Sequence, residues 1–158
     1  MNSYINDKNE ILAAKIAAEI FTDIPISISS EVIPEMQEYE RAETTVLNSY
    51  VRPQVSNYVN NLQSNLEKKL GNDVQLSILR SDGGLASSRA TADSPVNHLM
   101  SGPAGGVAGA VHFCNQAGYE NILTFDMGGT STDVALIQNS RAKVRRETLV
   151  GDVRVKAP

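Results

Sequence analysis

The sequence holds one cysteine, Cys114, so no internal disulfide can form, and a reducing, cytoplasmic setting is expected. No apolar run approaches the length needed to span a bilayer, and Asp7, Lys8 and Glu10 stand where a secretory leader needs an apolar core. No membrane association is expected. A basic stripe is missing too: 14 Lys and Arg against 18 Asp and Glu leave a net charge of −4, which gives nothing to neutralise a nucleic-acid backbone. Lys143, Arg145 and Arg146 are the one local basic cluster and are expected on the solvated face of a strand. There is no Gly-x-x-x-x-Gly-Lys-Ser/Thr, and the glycines between positions 102 and 109 do not fit Gly-x-Gly-x-x-Gly. Ser101 lacks the flanking glycines of a nucleophile elbow. His98, His112 and Cys114 do not make a metal site, because residues two apart on a helix point in different directions. Cys114, in an Ala/Gly-rich helix, is expected to be an inert structural thiol.

What the sequence does contain is the stretch Phe125-Asp126-Met127-Gly128-Gly129-Thr130-Ser131-Thr132-Asp133-Val134, between the apolar runs 121–125 and 134–137. Two strands joined by a turn of glycines and hydroxyls, with a carboxylate at each end, are suited to phosphate and metal. Positive φ is expected at Gly128 and Gly129, letting backbone N–H groups converge on an anion. Thr130, Ser131 and Thr132 add hydroxyl donors. Asp126 and Asp133 would repel phosphate unless a cation such as Mg²⁺, or its waters, stood between. The polar insert is also longer than a plain hairpin turn requires.

Along the chain, helices and strands alternate. Ile11, Leu12, Ile16 and Ile20 have the spacing of an amphipathic helix over 9–21, and 24–29 alternates like a strand. Leu47, Val51, Val55, Tyr58, Val59, Leu62, Leu66 and Leu70 mark a long helix closed by Gly71, with Pro53 predicting a kink or fresh start near Arg52. A strand over 74–79 leads into Arg80-Ser81-Asp82-Gly83-Gly84-Leu85, a ligand loop with Asp82 as a weak candidate or simply a tight turn. Residues 87–93 form a short helix or an irregular crossing. A helix over 101–118 opens near Ser101 or Gly102, has Pro103 in its first turn and ends at Gly118. Gly102, Gly106 and Gly109 give it a face almost without side chains, for close packing, while its N-terminus can hold an anion. Consecutive strands follow over 122–125, 134–137, 143–149 and 153–156, with Gln138-Asn139-Ser140 as a turn.

The segment Asp126 to Val134, preceded by Met100-Ser101-Gly102-Pro103-Ala104-Gly105-Gly106-Val107-Ala108-Gly109-Ala110, resembles the hydantoinase A and 5-oxoprolinase family. That group includes ATP-dependent hydantoinases, 5-oxoprolinases and subunits of acetone and acetophenone carboxylases. The resemblance extends through Ser29-Ser30-Glu31-Val32-Ile33-Pro34-Glu35, Glu38-Tyr39-Glu40-Arg41, Thr44 to Val51 and Ser81-Asp82-Gly83-Gly84-Leu85, and so covers nearly the whole chain. Asp-Met-Gly-Gly-Thr-Ser-Thr-Asp alone would suggest only the wider actin, sugar kinase and Hsp70 type of ATPase. Its combination with Ser-Gly-Pro-Ala-Gly-Gly is more specific.

The resemblance implies an α/β protein, part of an actin-like (sugar kinase/Hsp70-type) ATPase fold, in which helices precede a β-meander carrying a phosphate-binding hairpin. Residues 1–100 would be the end of the family's N-terminal region, and 101–158 the start of its ATPase lobe. It further implies ATP and Mg²⁺ as cofactors, with Asp126 orienting the metal, Asp133 supporting it, and Gly128, Gly129, Thr130, Ser131, Thr132, Gly102 and Gly105 around the phosphates. The implied reaction is phosphorylation and opening of a cyclic amide; ketone carboxylation and a non-catalytic remnant are the alternatives. A hydantoinase B-type subunit is the implied partner. At 158 residues the chain can fill one core but is short for a two-lobed nucleotide clamp, and it carries no second Asp-x-Gly-Gly-Thr. It is therefore read as a piece of a larger enzyme, inactive alone because half a clamp leaves the nucleotide exposed.

Overall fold

The computed structural model describes residues 2–157; Met1 and Pro158, the outer limits of the two expected regions, lie outside the described residues. Helices α1 (Lys8–Ile20), α2 (Ser29–Val32) and α3 (Glu38–Leu70) come first, then the hairpin β1 (Ser77–Leu79) and β2 (Leu85–Ser87). Helix α4 (Ser88–Asp93) and a 3₁₀ turn (Pro95–His98) lead to α5 (Ser101–Gln116). Strands β3 (Ile122–Met127), β4 (Thr132–Gln138) and β5 (Arg141–Ala142) form one antiparallel sheet in that order, and β6 (Thr148–Val150) with β7 (Val153–Val155) a second hairpin.

Helix α3 is the spine, and it departs from expectation in two ways. It runs unbroken past Pro53. A proline inside a helix costs about 3 kcal/mol, and here contacts around it hold the helix in place. Arg52 Nη1 donates to the Ile26 carbonyl at 2.7 Å, Arg52 Nη2 pairs with Asp93 at 2.8 Å, and Ser56 Oγ donates to the Ala92 carbonyl at 2.7 Å. The buried face is also largely polar: Arg41, Thr44, Asn48 and Val59 are buried, whereas Tyr58 and Leu70 of the expected apolar stripe are exposed. Asn48 Nδ2 donates to Ser27 Oγ and to the Asp93 carbonyl, and its Oδ1 accepts the Val96 N–H at 3.2 Å. One amide thus fixes three segments to the helix.

The strand expected over 24–29 does not form. Those residues have no neighbouring strand; the Ile26 carbonyl and the Ser27 hydroxyl accept side-chain donors from α3 instead, and Ser29 already begins α2. Strand β1 is shorter than expected, and residues 143–147 form a loop rather than strand, because β5 ends after two residues and leaves them without a partner. Helix α1 is present, but Leu12, Ile16 and Ile20 are exposed. Its anchor is Glu10, which accepts hydrogen bonds from Ser3 Oγ, Ser29 Oγ and the Ser30 N–H at 2.9, 2.5 and 2.9 Å. Burial raises the pKa of this carboxyl, but the bonds from Ser29, Ser30 and Ser3 outweigh it and lower it from 4.5 to about 2.

The apolar core joins both ends of the chain: Val32 and Val96 pack with Val155 and Ala157, flanked by Ile33, Leu47, Leu99 and Val153. The Lys156 N–H donates to the buried Thr44 hydroxyl at 2.9 Å, and Lys156 Nζ reaches Glu35 at 3.3 Å. Residues on both sides of position 100 therefore share one core.

Candidate functional site

Alternation along β3 and β4 sorts their side chains onto two faces. Ile122, Thr124, Asp126, Asp133, Ala135 and Ile137 share one face, which lies toward α5. Asp126 stands directly opposite Asp133 in the antiparallel register, so the two carboxylates are cross-strand neighbours. Asp126 is exposed and Asp133 half-buried. Between α5 and these strands runs an open groove of about 510 Å³, with Pro103 and Gly106 on the helix side and the aspartates on the strand side. A Cβ on Gly106 would stand 3.9 Å from Asp126 Oδ2, in ordinary contact, so the carboxylate lies beside this turn of α5 with room for one methyl between them.

The turn differs from expectation. Gly128 and Gly129 do not have positive φ; the glycines that do are Gly71, Gly83, Gly118 and Gly151. Four residues, Gly128 to Ser131, span the hairpin, and the Gly128 N–H donates to the Ser131 carbonyl at 2.9 Å. That bond closes the turn without left-handed residues and uses one N–H that an anion would otherwise take. Thr130, Ser131 and Thr132 are exposed at the tip.

The remaining glycines separate by role. Open space surrounds Gly102 in the first turn of α5, whereas a Cβ on Gly105 would come within 2.8 Å of Leu79 Cδ2. Gly105, not Gly102 or Gly109, is where the helix approaches another element most closely. The residue preceding α5 is Met100, not Ser101, and its N–H donates to Ser81 Oγ at 2.9 Å. Ser81 N–H in turn donates to the Asn97 carbonyl, and His98 Nδ1 meets the Leu79 carbonyl at 2.9 Å. The β1–β2 turn is thereby bolted to the start of α5, a link that separated sequence motifs do not reveal. Asp82 itself is occupied: it pairs with Arg80 at 2.8 Å and accepts the Gly84 N–H at 2.9 Å, as in a tight turn.

Among the described residues no three His, Cys, Asp or Glu side chains converge on one point. Two facing carboxylates suit Mg²⁺, which commonly takes one or two protein carboxylates and completes its shell with phosphate oxygens and water. Among the described residues no helix is long and apolar enough to cross a membrane.

A model of the hydantoinase/oxoprolinase family matches residues 41–158, which include α5, the aspartate pair and the turn. The chain belongs to that family. Among its hydantoinase/oxoprolinase relatives, the caprolactamase subunit alpha of Pseudomonas jessenii is 30% identical over 143 residues, 90% of this chain and 20% of that protein. The 5-oxoprolinase of Saccharomyces cerevisiae is 32% identical over 160 residues, 100% of this chain and 12% of that one. In three dimensions the chain is similar to nucleotide-free acetone carboxylase, solved in work on ATP-dependent acetone carboxylation, with a TM-score of 0.87 and 30% identity over 99% of this chain and 22% of that one. The chain thus spans between about an eighth and a little over a fifth of the length of these relatives, and its mixed α/β fold matches acetone carboxylase over that span.

Proposed function

We propose that this chain forms one wall of the Mg²⁺-ATP site of an enzyme that phosphorylates and opens a cyclic amide. The observation that carries the reading is the Asp126–Asp133 pair, set face to face over the N-terminal half of α5. Like charges directly opposite on neighbouring strands repel, and a cation between them and a triphosphate removes that penalty. Asp126, the more exposed, would hold Mg²⁺ or a water of its shell, and Asp133 would orient it from across the hairpin. When bound, the ion supplies charge neutralisation at the transferring phosphoryl group.

The chain's own groups do the rest. Gly129, Thr130, Ser131 and Thr132 at the turn tip would donate to phosphate oxygens, with Gly128 as the fixed base of the turn. The first N–H groups of α5, at Ser101 and Gly102, are free of intrahelical bonds and carry the positive end of the helix dipole toward the same region. Gly105 would act from behind, by letting α5 seat against Leu79. The architecture fits half of an actin-like ATPase clamp, in a soluble, cytoplasmic enzyme, with the opposing wall and a B-type subunit supplied by other polypeptide.

A second reading has a specific observation in its favour: the TM-score of 0.87 to acetone carboxylase supports a subunit that activates a ketone for carboxylation just as well. Both readings use the same phosphate site. In the protein expressed from its natural gene, Asp126→Asn is expected to lower ATP turnover by roughly 10²–10³-fold, the loss that follows removal of one charge-stabilising group, with a melting temperature in the absence of nucleotide and metal that is no lower, because the repulsion across the pair is gone. Retention of ATPase activity in the variant would sink the site assignment. Turnover of cyclic amides against ketones separates the two reactions.

A further inference from the structure

The loop over 143–147 stands where a solvated strand was expected, and it leads from β5 to the hairpin of β6 and β7. At its junction with that hairpin lies a cleft of about 530 Å³, lined by Arg145, Glu147, Thr148, Leu149 and Arg154. Small-molecule sites have volumes of about 300–1,000 Å³. Arg154 stands opposite Leu149 in the register, and alternation along β7 turns it away from the buried Val155. Its carboxylate neighbour, Glu147, is 3.8 Å away, beyond hydrogen-bond length, so the guanidinium keeps its donors free of that partner. No carboxylate among the described residues pairs with Arg145.

Charge is concentrated around this cleft. Between positions 141 and 154, Arg141, Lys143, Arg145, Arg146 and Arg154 stand against only Glu147 and Asp152, in a chain whose net charge is −4. Two guanidiniums on one cleft repel each other, and Glu147 can neutralise only one of them. A doubly charged anion between them would remove the repulsion. The residue type matters as well, because the planar fork of arginine matches two oxygens of an oxyanion, whereas lysine offers a point charge. Thr148 contributes a hydroxyl donor to the lining, and Leu149 gives the cleft an apolar wall.

We propose that this cleft binds a doubly charged oxyanion, a phosphate ion or the phosphoryl group of a phosphorylated small molecule, between the guanidiniums of Arg145 and Arg154. The assignment is independent of the nucleotide reading, since none of the cleft residues lines the groove of Asp126 and Asp133. Calorimetric titration of the natural gene product with inorganic phosphate tests it, in EDTA so that no Mg²⁺ joins the ligand to the aspartates. Arg145→Gln and Arg154→Gln are each expected to weaken binding by roughly tenfold or more, the loss of one charge-assisted fork. Arg146→Gln removes the same charge from outside the cleft and is expected to change affinity by less than about twofold, because exposed charges are screened by salt. Asp126→Asn should leave phosphate binding unchanged even if it abolishes ATP turnover. Arg145→Lys, which keeps the charge and loses the fork, should fall between wild type and Arg145→Gln. Absence of binding, or equal weakening by Arg146→Gln, would overturn the proposal. Glycerol 3-phosphate as a second titrant separates the sources: tighter binding than phosphate assigns the phosphoryl group of a larger molecule, and equal or weaker binding assigns the free ion.

Discussion

Gly105 and Gly109 lie on the same helix and invite the same substitution with opposite results. Alanine in a helix interior is favoured over glycine by about 1 kcal/mol, and this gain should apply to both. At Gly109 nothing lies within 4 Å of the added Cβ, so Gly109→Ala is expected to stabilise by up to that amount. At Gly105 the Cβ would meet Leu79 Cδ2 at 2.8 Å, closer than such atoms pack. Leu79 must then move, and it ends β1, where its carbonyl meets His98 Nδ1. The atom in the way is the end of one half-buried side chain that can turn aside, so the cost lies at the low end of overpacking, about 1 kcal/mol. Because the helix term cancels between the two variants, their difference isolates the contact: Gly105→Ala should be less stable than Gly109→Ala by about 1 kcal/mol. Urea unfolding followed by circular dichroism measures it directly, and thermal melting should separate the two by about 2–4 °C per kcal/mol. Equal stability, or a more stable Gly105→Ala, would refute the claim that α5 is seated on β1 through that glycine.

Asn48→Ala should destabilise by about 2–4 kcal/mol in the same assay, because it leaves the Val96 N–H and the Asp93 carbonyl without their partner in a buried site. Thr44→Val keeps the shape but removes the acceptor of the Lys156 N–H; amide exchange at Lys156 should accelerate at least tenfold while β3 and β4 are unaffected. Glu10 has a folded pKa below its unfolded value, so its contribution is fully present above about pH 4.5 and is lost as pH falls toward about 2. Stability should drop through that window by an amount on the order of 1–2 kcal/mol after solvent screening, and Glu10→Gln should flatten the drop.

The hairpin of β3 and β4 was legible because two apolar runs flank a glycine-rich turn with a carboxylate at each end; that Asp126 and Asp133 face each other across the strands came from the register. The backbone of the turn was not legible, since a Gly128 to Ser131 hydrogen bond closes it with ordinary φ values. Helix α3 was found by its apolar spacing, and Val59 of that stripe is buried and Leu47 borders the core, but the polar members of the buried face, Arg41, Thr44 and Asn48, were not foreseen. Thr44 and Asn48 are buried because they bond to residues 112 and 48 positions away, and no local pattern carries that information. The same holds for 24–28, where Arg52 donates to the Ile26 carbonyl and Asn48 to the Ser27 hydroxyl and no neighbouring strand is present. The stripe of small residues on α5 was legible as a sign of close approach, but which glycine makes the approach depends on where Leu79 falls.

The bond from Lys156 to Thr44 also orders events in time. It spans 112 residues, and Val155 and Ala157 complete a core begun by Val32. At translation rates of about 5–20 residues per second, Thr44 leaves the ribosome on the order of 6–20 s before its partner exists. During that interval the Thr44 hydroxyl and the core residues Val32 and Val96 lack the partners that Val155, Lys156 and Ala157 later bring. Contacts of such long range also slow folding once synthesis is done. The first half of this protein therefore has to wait for residues near position 155 before its structure can close.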